Sequence, residues 1–167
     1  MNPLTIILAA LPAYVSNSAP VLFGGGEKIN ARLFGENKTI NGLASGVILG
    51  TLTGIVLALL LPDAFLPAAT ATQKTAFAIA SAIGAMAGDL AGSYAKRRLG
   101  VAPGKPVPIL DQLPFILAAL FLGWLAYPNL FNELTLEGTA ALIALTYALH
   151  LFFNSLAHRL RMKKVPW

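Results

Sequence analysis

The run GDLAGSYAKRRLGVAPGKPVPILDQLP, residues 88–114, decides how this chain is read, because it joins the end of one apolar stretch to the start of another through a short basic loop. It sets Asp89 inside a greasy segment, follows it with Lys96, Arg97 and Arg98, and adds Asp111 just beyond a loop holding Pro103, Pro106 and Pro108. An aspartate at membrane depth costs on the order of 3 kcal/mol unless a cation or a wet cavity receives it. Asp89 and Asp111 are therefore the residues that need a reason.

Working outward, the composition fixes the class. Of 167 residues, 56% are hydrophobic and 11% are charged, and the mean hydropathy is +0.70. These values belong to an integral membrane protein. About 20 apolar residues cross a bilayer core, and five such stretches are expected: 3–23, 41–61, 75–94, 111–127 and 138–157. The expected fold is all-α, a polytopic protein of five transmembrane helices with residues 1–167 forming a single membrane domain. The first stretch lacks a basic leading region and carries Pro12, Asn17 and Pro20, so it is read as a mature helix and not a signal peptide.

Basic residues set the orientation, since cytoplasmic loops near helix ends are rich in Lys and Arg. With the amino terminus outside and the carboxyl terminus cytoplasmic, Lys28, Arg32, Lys38, Lys96, Arg97, Arg98, Lys105, Arg159, Arg161, Lys163 and Lys164 all fall inside, and of the 12 Lys and Arg only Lys74 falls outside. Such a face attracts phosphate. Arg159, Arg161, Lys163 and Lys164 are accounted for by topology alone. The loops 24–40 and 98–108 are Gly- and Pro-rich and mix charge with polar residues, so both are expected to be functional. The chain has no cysteine, which excludes disulfides, thiolate nucleophiles and Cys-ligated metals.

Asp89, Ser93, Lys96 and Arg97 stand at i, i+4, i+7 and i+8 and share one face of a helix. Gly84, Ala85, Ala87, Gly88, Ala91 and Gly92 around them admit a neighbouring helix or a ligand. If Lys96 marks the inner interface, Asp89 lies about 10 Å deeper. Two readings of Asp89 stand side by side: a pair with a Lys or Arg that registers helices, or a bound cation. Asp111 either caps the helix that follows it or joins Asp89 at the same inner end. Oxygen ligands with no His or Cys nearby suit Mg²⁺, which takes one or two carboxylates plus substrate phosphates. Two acids beside several cations form a recipe for phosphoryl or nucleotidyl transfer.

The first inner loop contributes LFGENKTING, residues 33–42. It fails the P-loop template in spacing and in context. Lys38, Thr39 and Gly42 at a helix amino terminus read either as a phosphate seat or as a plain cap with a topological lysine. Asn17 with Pro20 is expected to interrupt the first span, where the amide or freed carbonyls would face a cavity or pack between helices. Tyr147, His150, Asn154 and His158 make a polar stripe on the last span that either packs or lines the site.

Gly88-Asp89-Leu90, Ser93, Lys96-Arg97, Lys105 and Leu110-Asp111 resemble, in order and nearly in spacing, the signature of the membrane CDP-diacylglycerol synthases. The chain departs from it where those enzymes usually show KD, HGG and DRxD; here stand Gly104-Lys105-Pro106 and Asp111-Gln112-Leu113-Pro114. Asn17 with Pro20, the 33–42 run and LDQLPF, residues 110–115, are similar to the smaller archaeal branch, the CDP-archaeol synthase family. That resemblance covers most of the chain, apart from Lys28-Ile29-Asn30, where a Pro-Ile-Asp-like triplet would be expected. It implies a nucleotidyltransferase that moves a cytidylyl group from CTP to the phosphate of 2,3-di-O-geranylgeranyl-sn-glycerol 1-phosphate, in phospholipid biosynthesis at the cytoplasmic side of the cell membrane.

The catalytic residues then expected are Asp89, Asp111, Lys96 and Lys38, with Mg²⁺ on Asp89 and Asp111. Nucleotide binding is expected at Asn17, Lys38, Thr39, Gly42, Ser93, Lys96, Arg97 and Lys105. The lipid tails would lie along the small residues of the third span and Ile116, Leu117 and Leu120. The partners are CTP, the isoprenoid lipid phosphate and the bilayer, with no nucleic acid. A small ion-coupled transporter, with Asp89 on the ion and a broken helix at Asn17, is the competing class. A simple anionic-lipid binder leaves the buried acid unexplained, and the DGxxAR run of CDP-alcohol phosphotransferases is absent.

Overall fold

A computed structural model describes residues 3–102 and 105–159. The architecture is all-helical among these residues: α1 (Pro3–Phe23), α2 (Ala31–Phe34), α3 (Ile40–Leu60), α4 (Ala71–Arg98), α5 (Pro108–Gln112), α6 (Pro114–Ala126), α7 (Leu130–Leu134) and α8 (Leu136–Arg159). Three helices, α1, α3 and α4, are long and apolar enough to cross a membrane, and two shorter apolar stretches lie at 114–126 and 136–149. Exposed Ile48, Leu52, Val56 and Leu59 give α3 an apolar outer face, as expected of a helix that meets lipid.

Glycine ridges hold the bundle. Gly42, Gly46, Gly50 and Gly54 recur every fourth residue on α3 and all are buried. A Cβ on Gly50 would sit 2.8 Å from the Pro12 carbonyl oxygen of α1 and 2.9 Å from Ala82 of α4. On α4 the ridge is Gly84, Gly88 and Gly92, where a Cβ would strike the Ala118, Pro114 and Leu110 carbonyls respectively. Between apolar helices in lipid, close backbone approach replaces the hydrophobic drive available in water. The glycines of α4 thus admit the α5–α6 segment. Ile116 and Leu120 are buried in this contact while Leu117 faces outward, so the three residues do not share the common face expected of them.

Two expected helices differ. The stretch 111–127 is split at Leu113, because Pro114 has no N–H to return to the Leu110 carbonyl; α5 ends at Gln112 and α6 spans only 13 residues. The first span, by contrast, runs unbroken through Pro12 and Pro20. The Ser16 carbonyl that Pro20 leaves without its helical donor lies 2.8 Å from a Cβ position on Gly46. That freed carbonyl meets α3 and not a cavity. Ser16 itself, fully buried, donates its hydroxyl to the Ala82 carbonyl at 3.1 Å and ties α1 to α4.

Candidate active site

The loop between α1 and α3 is folded to deliver one lysine. Ile29 N–H donates to the Lys38 carbonyl and Ile40 N–H to the Glu27 carbonyl, both at 2.9 Å, closing an antiparallel bridge between Lys28 and Thr39. Asn30 caps α2 by accepting from Leu33 N–H at 3.0 Å. Phe34 then docks on Tyr94 of α4 with ring centroids 6.3 Å apart, and Arg98 donates through Nε to the Tyr94 hydroxyl at 2.7 Å. Within this clamp Lys38 reaches across to α4 and its ammonium donates to Asp89 Oδ2.

A second pair forms beside it. Lys96 Nζ donates to Asp111 Oδ1 at 2.5 Å, while Asp111 Oδ2 accepts from Val107 N–H at 2.9 Å. Asp111 is therefore not the cap of α6. It sits in the first turn of α5 and reaches back to the residue before Pro108, an arrangement that fixes the orientation of its carboxylate. The α4–α6 glycine contact, continued at Gly92 and Leu110, is what brings α5 alongside Lys96.

A cavity of about 640 Å³ opens next to the acids. Its polar lining includes Asn17, Asn37, Lys38, Asp89 and Asp111, and its apolar lining includes Ile7, Leu11, Val21, Phe115, Leu145 and Leu149. The size falls in the range of small-molecule sites. Tyr14 and Thr146 face it as well, their hydroxyls joined at 2.6 Å across 132 residues of chain. A smaller cleft lined by Lys38, Thr39, Gly42 and Asp89 shares Asn37, Lys38 and Asp89 with the first.

Of the sequence-derived residues, Asn17, Lys38, Asp89 and Asp111 meet at one cavity, Lys96 joins them through Asp111, and Thr39 and Gly42 line the cleft. Thr39 Oγ1 accepts from Gly42 N–H at 3.1 Å and from Gly25 N–H at 3.2 Å, so Thr39 caps α3 beside Lys38. Ser93 is partly buried and lines neither cavity. Arg97 is also partly buried, and its buried Nε has no hydrogen-bond partner among the described residues. Lys105 is exposed on the α4–α5 loop, its N–H held by the Ala102 carbonyl at 3.2 Å. Tyr147 points outward, 39% exposed; the wall from α8 is Leu145, Thr146 and Leu149 instead. The side chains of His150 and Asn154, and Pro103, Gly104, Arg161, Lys163 and Lys164, lie outside the described residues.

Asn37 is the site residue that sequence reasoning passed over, though it stands beside Lys38 in the same polar run. The Tyr14–Thr146 bond had no local signal at all.

Among the described residues no group of three His, Cys, Asp or Glu gathers. The donors present are two carboxylates and two amides, all hard oxygen ligands, and Asp89 Oδ1 carries no hydrogen bond to another described residue. That set fits a cation which completes its shell with substrate phosphate and water.

Comparison with known proteins agrees with this chemistry. A family model described as CarS-like, CDP-archaeol synthase, matches residues 3–167. The chain is 37% identical over 165 residues to the CDP-archaeol synthase of Pyrococcus furiosus, covering 94% of this chain and 93% of that one. It is 38% identical over 174 residues to that of Aeropyrum pernix, covering 99% and 93%, and 39% identical over 165 residues to that of Thermococcus kodakarensis, covering 94% and 92%. A solved structure described as an intramembrane enzyme for archaeal membrane lipids biosynthesis superposes with a TM-score of 0.75 at 34% identity, covering 92% of this chain and 94% of the other. Acids, lysines and an apolar wall around one cavity, in a chain matched nearly end to end, leave no room for the transporter: the chain belongs to the CarS-like, CDP-archaeol synthase family.

Proposed function

We propose that this protein is the cytidylyltransferase its relatives are named for, moving CMP from CTP onto the phosphate of 2,3-di-O-geranylgeranyl-sn-glycerol 1-phosphate with release of pyrophosphate. The observation that carries the reading is one cavity lined both by Lys38, Asp89 and Asp111 and by apolar side chains of α1, α6 and α8. An amphiphilic acceptor and a polyphosphate donor need both.

In this reading Lys38 and Lys96 take phosphate oxygens of the triphosphate. Thr39 and Gly42 hold Lys38 in place through the α3 cap, and Asn17 and Asn37 offer amides to the nucleotide. Ser93, Arg97 and Lys105 serve from the second bank, where the loop after α4 meets the leaving pyrophosphate. Asp89 and Asp111 would hold Mg²⁺, which when bound neutralises charge developing on the phosphates. An oxygen of the lipid phosphate, already ionised, attacks the α-phosphorus in line; the bond from that phosphorus to the bridging oxygen breaks, and pyrophosphate departs with the electron pair. No general base is required, so the work of the chain is positioning and charge compensation. The lipid tails run along Ile7, Leu11, Phe115, Leu145 and Leu149, between α1, α6 and α8.

Residues 1–167 act as one membrane domain of five spans, α5 with α6 forming the short fourth, with the amino terminus outside and the site on the cytoplasmic face. Support comes from the crowding of basic residues at the α4 end that bears Lys96, Arg97 and Arg98. Purified protein given labelled CTP, Mg²⁺ and the unsaturated lipid phosphate should form CDP-lipid and pyrophosphate. Absence of product across several lipid phosphates would overturn the assignment.

A further inference from the structure

Both acids of the site are already taken. Lys38 holds Asp89 and Lys96 holds Asp111, and the pairs are sheltered, with side-chain exposures of 24% and 27% in the first and 13% and 30% in the second. Withdrawing one member of a sheltered pair leaves an uncompensated charge, which is far costlier than losing a surface contact. A lysine can therefore leave its aspartate cheaply only when another anion receives the ammonium. While its lysine stays, the ammonium charge beside the aspartate opposes a metal cation at the carboxylate's remaining oxygen.

Charge compensation then decides which ligands enter. With the two acids paired to two lysines the four groups are neutral. A divalent cation arriving alone must drive out ammonium groups that have no anion to go to. A triphosphate arriving alone draws the lysines away and strands two bare carboxylates beside its own negative charge. Arriving together, the triphosphate receives the lysines and the cation receives the carboxylates.

We infer that Lys38 and Lys96 are exchangeable counter-ions that keep the carboxylates closed to metal until a polyphosphate is present, so that metal and nucleotide bind conditionally on each other. This rests on the cytidylyltransferase reading and deepens it. The two pairs are unequal. Asp111 keeps the Val107 N–H on its second oxygen when Lys96 departs, whereas Asp89 has no other hydrogen bond among the described residues. The Lys38–Asp89 pair is where the exclusion of bare metal is concentrated.

The test uses the full chain in detergent or nanodiscs and Mn²⁺ alone, followed by the loss of the free-ion paramagnetic resonance signal, so that complexation of the metal by CTP in solution plays no part. Lys38→Met removes the ammonium and keeps the length of the side chain. It should bind Mn²⁺ about tenfold more tightly than the unmodified protein, within the range of typical coupling energies, and the gain should vanish in Lys38→Met/Asp89→Asn. CTP binding in chelator should weaken in the same single variant. If Lys38→Met fails to fold, Lys96→Met asks the same of the second pair, with a smaller gain because Val107 still orients Asp111. Mn²⁺ bound no more tightly by the folded variant than by the unmodified protein overturns the inference while leaving the enzyme assignment intact. Failure of the unmodified protein to bind CTP with or without metal overturns both.

Discussion

The two ends of α4 carry the same kinds of residue and use them differently. At the far end Lys74, 6% exposed, donates to the Pro62 carbonyl at 2.5 Å. Nearby, Glu133 Oε1 accepts from Ala68 N–H at 2.9 Å and from the Tyr127 hydroxyl at 2.8 Å. At the near end Lys38 and Lys96 meet side-chain carboxylates, with a 640 Å³ cavity alongside. A charge tied to backbone is a fastening, since its partner cannot leave. A charge tied to another side chain beside open volume can be re-partnered, and that is where chemistry belongs.

Substitutions can break this contrast. The largest effect is expected for Asp89→Asn, which should lower turnover about a thousandfold, the scale of losing a key electrostatic contact, and should also lower the unfolding midpoint, because the Lys38 ammonium is left unpaired. Asp111→Asn should cost about a hundredfold. The new amide oxygen can still accept from Val107 N–H, so retention of near-normal turnover would show that Asp111 only orients α5. Lys38→Ala should raise KM for CTP about tenfold with a smaller change in kcat, the signature of lost uniform binding. Smallest of all in catalysis is Glu133→Ala, which should leave kcat/KM within about twofold while lowering stability by about 1–3 kcal/mol for its two bonds. Loss of turnover in that variant would erase the distinction between the two ends.

Most of the architecture could be read from composition and from runs of apolar residues. Spans one, two and three were placed within a few residues at most ends, because long apolar helices give a strong signal; the interruption expected at Asn17 and Pro20 does not occur, since the carbonyl that Pro20 frees packs against α3. The fourth was misjudged as continuous, since the deciding event is one missing donor at Pro114. Asp89, Asp111, Lys38 and Asn17 announced themselves as polar groups out of place. What they pair with was hidden, because Lys38 and Asp89 are 51 residues apart and only the helix packing brings them together. The stripe beginning at Tyr147 left packing and site lining open, and the cavity wall comes from Leu145, Thr146 and Leu149, because which side of α8 faces inward is set by its packing against α1 and α5. The α3 glycines recur at a visible spacing; their meaning emerges only with the backbones they face.

The contact between Gly88 and the Pro114 carbonyl has a consequence for the tuning of the site. No atom of thickness separates α4 from α6 there, and α5, with Asp111, hangs directly from that junction. A methyl group at residue 88 would act as a shim, tilting α5 and changing the reach between Asp111 and Lys96 from a position that touches no substrate. The placing of Asp111 is gauged by the absence of a side chain at the residue next to Asp89.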